Sequence, residues 1–226
     1  MLMDETGSAM TQRQFPELTR FKVKLHGQFW EVLDAISQEK IYIHPQEKGG
    51  NFSGEIWGDS LDFEELNPSY SAWFSIILKR KVKLVRIHPE NTRFISANYQ
   101  GGFSKSIQLV DGMPVSIVSR SSLENFEKIY GPYNWLRFRP NIIVEADYPH
   151  QEDEWKKIKI GEIEFESKKL CKRCVLTTID PETGERDSEF LTKLAQYRKI
   201  DQAIYFANQF IPLNEGFIKK GDLVHV

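Results

Sequence analysis

Residues 171–184 read Cys171-Lys172-Arg173-Cys174-Val175-Leu176-Thr177-Thr178-Ile179-Asp180-Pro181-Glu182-Thr183-Gly184, and they contain both cysteines of the chain. The apolar, partly β-branched residues 175–179 predict a strand, because branched side chains favour a pleated backbone. Residues 180–184 predict a tight turn, in which Pro181 fixes φ and Gly184 permits a positive φ. We therefore expect the two thiols at the start of a strand that runs into a turn.

Two closely spaced cysteines are compatible with several kinds of site. Thiolates are soft ligands, so a soft metal centre is the first hypothesis. A structural zinc site needs four ligands, and this sequence has neither a third cysteine nor two histidines at short spacing. A thioredoxin-like pair would open a helix, whereas here a predicted strand follows. A third interpretation, in which both thiols simply pack in the interior, stays open.

Composition and charge exclude some classes of function. The sequence has 30 Lys and Arg against 32 Asp and Glu, a formal net charge of −2. This balance lacks the basic excess that is typical of nucleic-acid binding. The most apolar segment, residues 72–78, is too short to cross a bilayer. Residues 1–7 lack the features of a signal peptide, and two cysteines fit a reducing compartment. We therefore expect a cytoplasmic protein that binds neither nucleic acid nor membranes.

The first part of the chain, residues 1–93, has the pattern of strands with one helix. The helix is predicted at 69–78, after Asn67 as N-cap and a proline at the first helical position. Trp73, Ile76 and Ile77 are expected on its apolar stripe. The predicted fold class is therefore mainly β with a few helices.

The remainder, residues 94–226, predicts a second domain. A capping box at Ser121 introduces a helix, and residues 158–165 alternate around a glycine in the manner of a hairpin. A second helix is predicted at 188–199, with Arg198 capping and solvating its end. Residues 218–226 are predicted to close the sheet.

The sequence of residues 171–184 resembles the signature of the MOSC family, the molybdenum cofactor sulfurase C-terminal domains. More narrowly, it resembles the amidoxime-reducing component and the bacterial proteins that detoxify N-hydroxylated bases. Residues 11–16, 138–141 (Phe-Arg-Pro-Asn) and 216–222 match further family segments in the family's order, so the resemblance covers nearly the whole chain.

This resemblance implies a β-barrel-like MOSC domain at residues 94–226. A smaller N-terminal MOSC-type β-barrel domain would precede it at residues 1–93. Family members begin with further strands that carry basic cofactor-binding residues, so we expect this barrel to lack its first strands. Family members also carry Phe-Gly where this chain has Phe206-Ala207. A glycine allows close approach of the backbone, and the Ala207 side chain is expected to leave less space there.

The resemblance also implies the molybdenum cofactor (molybdopterin), with Cys174 as catalytic residue and metal ligand. Further cofactor-binding residues that it implies are Arg139, Asn141, Asp111, Arg173 and Thr177. A planar guanidinium can bind the phosphate of the cofactor in bidentate fashion, and Arg173 is expected to keep the Cys174 thiol deprotonated. Cys171 is expected to be structural. The simpler alternatives are an ordinary turn at Asp111 and surface salt bridges of the arginines.

The function that the resemblance implies is reduction of N-hydroxylated compounds, namely amidoximes, hydroxylamines and N-hydroxylated bases, by a molybdenum-dependent oxidoreductase. A separate ferredoxin or flavoprotein reductase would supply the electrons, and pyridoxal phosphate binding is ascribed to the family at large. One alternative is a sulfur-carrier or cofactor-binding module in which Cys174 carries a persulfide. Another is an inactive, truncated member of the family.

Overall fold

The computed structural model describes residues 1–100 and 107–226 and divides the chain into two compact units. The first unit comprises Met1–Arg93 together with Glu182–Glu185, and the second comprises Phe94–Pro181 and Arg186–Val226. The architecture is mainly β, which confirms the predicted fold class. Within the described ranges, we find no helix that is long and apolar enough to cross a membrane.

The first unit contains two antiparallel sheets. One has the strand order β1-β7-β6-β5 and the other β2-β3-β4. The strands are β1 (Leu2–Asp4), β2 (Phe21–His26), β3 (Phe29–Asp34), β4 (Lys40–Ile43), β5 (Lys48–Ile56), β6 (Asp59–Leu66) and β7 (Val82–Ile87), and a 3-10 helix spans Pro16–Arg20. The turn Glu182–Glu185 lies close to this 3-10 helix, because a Cβ on Gly184 would come within 2.6 Å of Thr19 Oγ1.

The helix of the first unit, α1 (Pro68–Leu78), begins where the sequence predicts. Asn67 Oδ1 accepts a hydrogen bond from Ser69 N at 3.0 Å, as an N-cap residue does. The predicted apolar stripe was wrong in part, since Ile76 is 75% exposed and the buried positions are Tyr70, Ser71 and Phe74. The buried face of α1 is the one that contacts β4, β6 and β7, and the hydrophobicity of the residues alone did not indicate which face that would be.

The second unit is built on a barrel-like, nearly closed sheet. Its strand order is β14-β10-β11-β13-β8-β9, with β12 beside β13, and among its described strands only the β8–β9 pair is parallel. The strands are β8 (Val115–Ser119), β9 (Ile142–Val144), β10 (Lys157–Ile160), β11 (Ile163–Lys172), β12 (Lys199–Ile200), β13 (Ala203–Pro212) and β14 (Val224–His225). The α-helices are α2 (Ala97–Gln100), α3 (Arg120–Tyr130) and α4 (Phe190–Arg198), and the 3-10 helices are Trp135–Phe138, Gln151–Asp153 and Val175–Thr178.

Local signals in the second unit are partly confirmed. The predicted hairpin is β10–β11, with Gly161 at φ +55 in its turn. The cap of α3 is Ser119, whose hydroxyl accepts from Ser122 N at 3.2 Å, so the capping box at Ser121 was placed two residues late. The predicted closing strand 218–226 was wrong in extent, because only Val224–His225 pairs with β10.

Candidate cofactor site

The two thiols lie at the end of β11, where the strand is irregular. Leu170 pairs with Asn208 of β13 and Lys172 pairs with Tyr205, so Cys171 faces two residues of β13. This is a β-bulge, and Ala207 on the bulged strand adopts φ 71. Cys171 is buried and Cys174 is half-buried, so the second thiol is the more accessible one.

The segment that follows Cys174 is a 3-10 helix, Val175–Thr178, and the strand predicted at 175–179 was wrong. Two threonine hydroxyls donate to backbone carbonyls three residues back, Thr177 Oγ1 to Cys174 O at 2.9 Å and Thr178 Oγ1 to Val175 O at 2.7 Å. Such local hydrogen bonds compete with the hydrogen bonds of a sheet. The predicted turn after it is confirmed, with Gly184 at φ +78.

Three arginines of the second unit lie around this helix. Arg137 Nη1 donates to Thr178 O at 2.7 Å, and its Nη2 lies 3.4 Å from Asp180 Oδ2. Arg173 Nη2 donates to Phe138 O at 2.7 Å. Arg139 directly follows Phe138 and adopts a left-handed backbone, with φ 49 and ψ 46. We call Arg137, Arg139 and Arg173 the arginine cluster.

The arginine cluster carries unsatisfied donors. Within the described parts of the chain, Nε and Nη2 of Arg139 and Nε of Arg173 are buried and have no hydrogen-bond partner. Burial is the main cause that lowers the pKa of Arg139; Asp180 opposes it, and the positive charges of Arg137 and Arg173 add to it. Buried donors are normally satisfied, so this place is suited to an anion.

The thiol that Arg173 contacts is Cys171, because Arg173 Nη1 donates to Cys171 Sγ at 2.8 Å. The expectation that Arg173 keeps the Cys174 thiol deprotonated stays a prediction. Because Cys171 is buried and receives this hydrogen bond, it helps to fix the Arg173 side chain. The Arg173 guanidinium also lies 5.3 Å from the ring centroid of Phe138, a cation–π distance.

Asn141 is linked to Arg139 through Ser116 of strand β8. Asn141 Oδ1 accepts from Ser116 N at 2.8 Å, and Ser116 Oγ donates to Arg139 O at 3.3 Å. Asp111 is exposed in the loop before β8, next to Gly112, whose ideal Cβ would lie 3.4 Å from the Gln209 side chain. Gln209 pairs with Ser116 across β13 and β8. The oxygen of the Asn141 amide is therefore used to hold β8 beside Arg139.

Thr177 is buried, and its hydroxyl donates to the Cys174 carbonyl. It therefore fixes the backbone on which the thiol stands. The structure leaves the predicted cofactor roles of Thr177, Asn141 and Asp111 as predictions.

Sequence reasoning missed three residues that build the site. Arg137, which is not among the predicted site residues, donates to the Thr177 and Thr178 carbonyls of the 3-10 helix. Ser116 joins Arg139 to Asn141, and no sequence signal marks it. Phe206 stacks on Phe138 with centroids 4.0 Å apart and planes at 5°, which fixes the end of the 3-10 helix that precedes Arg139.

Arg198 was expected to cap and solvate the end of a helix, and this was wrong. Its guanidinium pairs with Asp153 Oδ2 and contacts His150 Nδ1 at 2.7 Å. His150 Nε2 lies 2.9 Å from Tyr197 Oη, and the imidazole packs against the edge of Phe206. Burial, and then the charge of Arg198, lowers the pKa of His150 to about 4. The polar network of Arg198, His150 and Tyr197 therefore packs against Phe206, which in turn stacks on Phe138.

The fold and the site therefore define a mainly β protein with a barrel-like sheet, which carries a thiol beside the arginine cluster. The sequence profile of the MOSC domain matches residues 104–225, more than half of the chain. The chain therefore belongs to the MOSC domain family, which confirms the resemblance of its motifs.

Similar proteins point to the same family. The chain is 28% identical to mitochondrial amidoxime-reducing component 1 of Mus musculus over 240 residues, which cover all of this chain and 71% of the relative. It is 27% identical to mitochondrial amidoxime reducing component 2 of Rattus norvegicus, over 94% of this chain and 65% of the relative. It is 25% identical to molybdenum cofactor sulfurase of Arabidopsis thaliana, over 91% of this chain but only 28% of that longer protein. These names associate the family with molybdenum cofactor chemistry.

Proposed function

We propose that this protein binds the molybdenum cofactor (molybdopterin) and reduces N-hydroxylated compounds such as amidoximes, hydroxylamines and N-hydroxylated bases. The observation that carries the proposal is the pair of unpartnered, buried donors on Arg139, in the arginine cluster beside the Cys174 segment. In addition, residues 1–93 are proposed to be the N-terminal MOSC-type β-barrel and residues 94–226 the MOSC domain.

The arginine cluster fits the phosphate of the cofactor. Among its guanidinium groups, Arg137 has an ion-pair partner in Asp180, whereas Arg139 presents two free donors in the described structure. Two N–H groups of one guanidinium suit two oxygens of one phosphate. The positive charges of Arg137 and Arg173 would strengthen that contact, since the site excludes part of the solvent.

Cys174 is the proposed protein ligand to molybdenum. Its thiol is the more accessible of the two, and its backbone is held by Thr177 Oγ1 and by the hydrogen bond of Arg173 N to Ile204 O at 2.8 Å. A thiolate is the soft ligand that such a metal prefers. When bound, the cofactor would supply two-electron redox chemistry. The chain's own contribution is to hold the thiolate and the phosphate in fixed places.

The overall reaction removes one oxygen atom from the substrate. An N–OH compound takes up two electrons and two protons, the N–O bond breaks, and the products are the N–H compound and water. Two cysteines in these 226 residues are too few for a four-thiolate iron–sulfur cluster. The proposed electron source is a separate ferredoxin or flavoprotein reductase, as the family resemblance implies. A cytoplasmic location would keep both thiols reduced.

The test measures molybdenum and pterin in the chain purified from a host that makes the cofactor. We expect near one-to-one occupancy, together with benzamidoxime reduction when an electron donor is supplied. Cys174→Ser should lose the metal and the activity. Cys171→Ser is the matched control, because a serine hydroxyl still accepts the Arg173 hydrogen bond, and it should retain both.

Two outcomes would contradict the proposal. Equal molybdenum content in Cys174→Ser and wild type would rule out the Cys174 thiolate as the metal ligand. Wild-type turnover no higher than that of Cys174→Ser would rule out the proposed reaction. A persulfide on Cys174 in a protein without molybdenum would instead support the sulfur-carrier alternative.

A further inference from the structure

An apolar pocket of about 510 Å³ lies in the second unit. One wall is a face of α4, formed by Leu191, Thr192 and Ala195, which are spaced as neighbours on a helix. Ile204 of β13 and Val175 contribute further aliphatic side chains. These four aliphatic side chains are all half-buried. Their apolar surface would be covered by a ligand of suitable size, and the volume is typical of ligand pockets.

The pocket borders the segment of chain that carries the Cys174 thiol. Val175, which directly follows Cys174, and Thr178 form part of the wall. Ile204 accepts the hydrogen bond of Arg173 N with its carbonyl group. The same short segment, residues 173–178, therefore carries the thiol and borders the pocket. A molecule in the pocket would lie beside the thiol-bearing segment, on aliphatic rather than charged groups.

Four polar residues complete the lining of the pocket, namely Thr178, Arg186, Ser188 and Thr192. Thr178 Oγ1 donates to Val175 O, so its proton is already used within the protein. Arg186 and Ser188 are exposed at the rim. The four aliphatic side chains offer a polar molecule no hydrogen bonds, whereas an apolar group of ring size would gain from burial against them.

We propose that this pocket binds the apolar body of the substrate, such as the phenyl ring of an aryl amidoxime. It would thereby select aryl N-hydroxylated compounds over small hydroxylamines. This inference rests on the proposed function for the identity of the reacting group. Ala195 is the specificity-determining position, because its small side chain leaves the space that a ring would fill.

The first test is binding, which needs no loaded cofactor. Benzamidoxime is titrated into the cofactor-free chain while methyl resonances of Val175, Leu191, Ala195 and Ile204 are followed by NMR. We expect saturable shifts in these methyl groups, which N-methylhydroxylamine does not produce. Ala195→Phe should weaken benzamidoxime binding by about tenfold or more, because the new side chain would occupy the space of the ligand ring and remove its hydrophobic contacts. Gln196→Phe places the same ring on the adjacent, exposed position of α4 and should bind as wild type.

The second test uses the loaded enzyme. Ala195→Phe should raise KM for benzamidoxime more than KM for N-methylhydroxylamine, whereas Gln196→Phe should leave both values unchanged. Unaltered benzamidoxime binding in a folded Ala195→Phe variant, or shifts confined to other methyl groups, would overturn the pocket assignment. Binding at these methyl groups without turnover of either compound would overturn the proposed reaction and still support the pocket.

Discussion

Replacing Arg139 by methionine should stabilise the cofactor-free protein, although a buried side chain normally contributes to stability. The Arg139 guanidinium has two buried donors without partners and two further arginines beside it. Methionine keeps the length of the chain and does not relieve the left-handed backbone at φ 49, so the comparison isolates the charge.

The magnitude follows from the cost of unsatisfied groups. A buried polar group without a partner costs about 1–3 kcal/mol, and replacing a buried charge by an apolar side chain can recover a similar amount. Because Arg139 is only partly buried, we expect a total gain of about 1–3 kcal/mol. In a chain of this length this corresponds to a rise in Tm of about 3–9 °C.

The assay is thermal unfolding of protein made in a host without the cofactor, with and without inorganic phosphate. Phosphate should raise the Tm of wild type and leave Arg139→Met unchanged, since a ligand stabilises only the form that binds it. Arg120→Met, which removes an exposed partner of Glu145, is the control and should change the free energy of unfolding by less than about 1 kcal/mol. A lower Tm for cofactor-free Arg139→Met would refute the reasoning, because it would mean that the guanidinium is already satisfied.

Two further predictions concern the surroundings of the site. Ala207→Gly should raise the free energy of unfolding by about 0.5–1 kcal/mol, because relief of the left-handed backbone at φ 71 exceeds the entropy cost of glycine. The same change at Ala203, in the same strand, should lower it, and equal effects in chemical unfolding would contradict this account. The pKa of His150 is depressed to about 4, so its contribution to stability is complete above about 6.5 and declines as the pH falls towards 4. His150→Gln should flatten that decline and His225→Gln should not, and an NMR titration of His150 with a midpoint near 6.5 would be incompatible with burial.

Local signals carried much of the fold prediction. Asn67 before Pro68 marked the start of α1, and alternation around Gly161 marked the β10–β11 hairpin. Each of these signals depends on residues that are neighbours in the chain. The N-cap of α3 was harder to predict, because several serines precede this helix. The cap is Ser119, two residues before the predicted one, and its hydroxyl makes a buried contact with Ser122 Oγ.

The errors arose where distant residues decide the backbone. Residues 175–179 have the composition of a strand, but Arg137, some forty positions earlier, takes the carbonyl of Thr178 and holds a 3-10 helix. The sequence could not rank that contact against a sheet hydrogen bond. Arg198 was interpreted from its position at a helix end, whereas its partners Asp153 and His150 come from another part of the chain.

The candidate site was predictable as a set of residue types but not as a geometry. The resemblance singled out Cys174 and Arg139, and the family membership that it suggested is confirmed. It gave no indication that Arg173 bonds to Cys171, or that Ser116 joins Arg139 to Asn141. These contacts follow from the register of β8, β11 and β13, which only the folded sheet defines.

The turn Glu182–Glu185 packs in the first compact unit, although its neighbours in sequence belong to the second. It falls within residues 104–225, which match the family profile, yet it belongs to the first compact unit, where Gly184 lies against Thr19. A recombination event that exchanged the matched stretch as a cassette would replace a piece of the other unit's packing as well. A chimera made by such an exchange should therefore keep its stability only where the new turn still fits against Thr19.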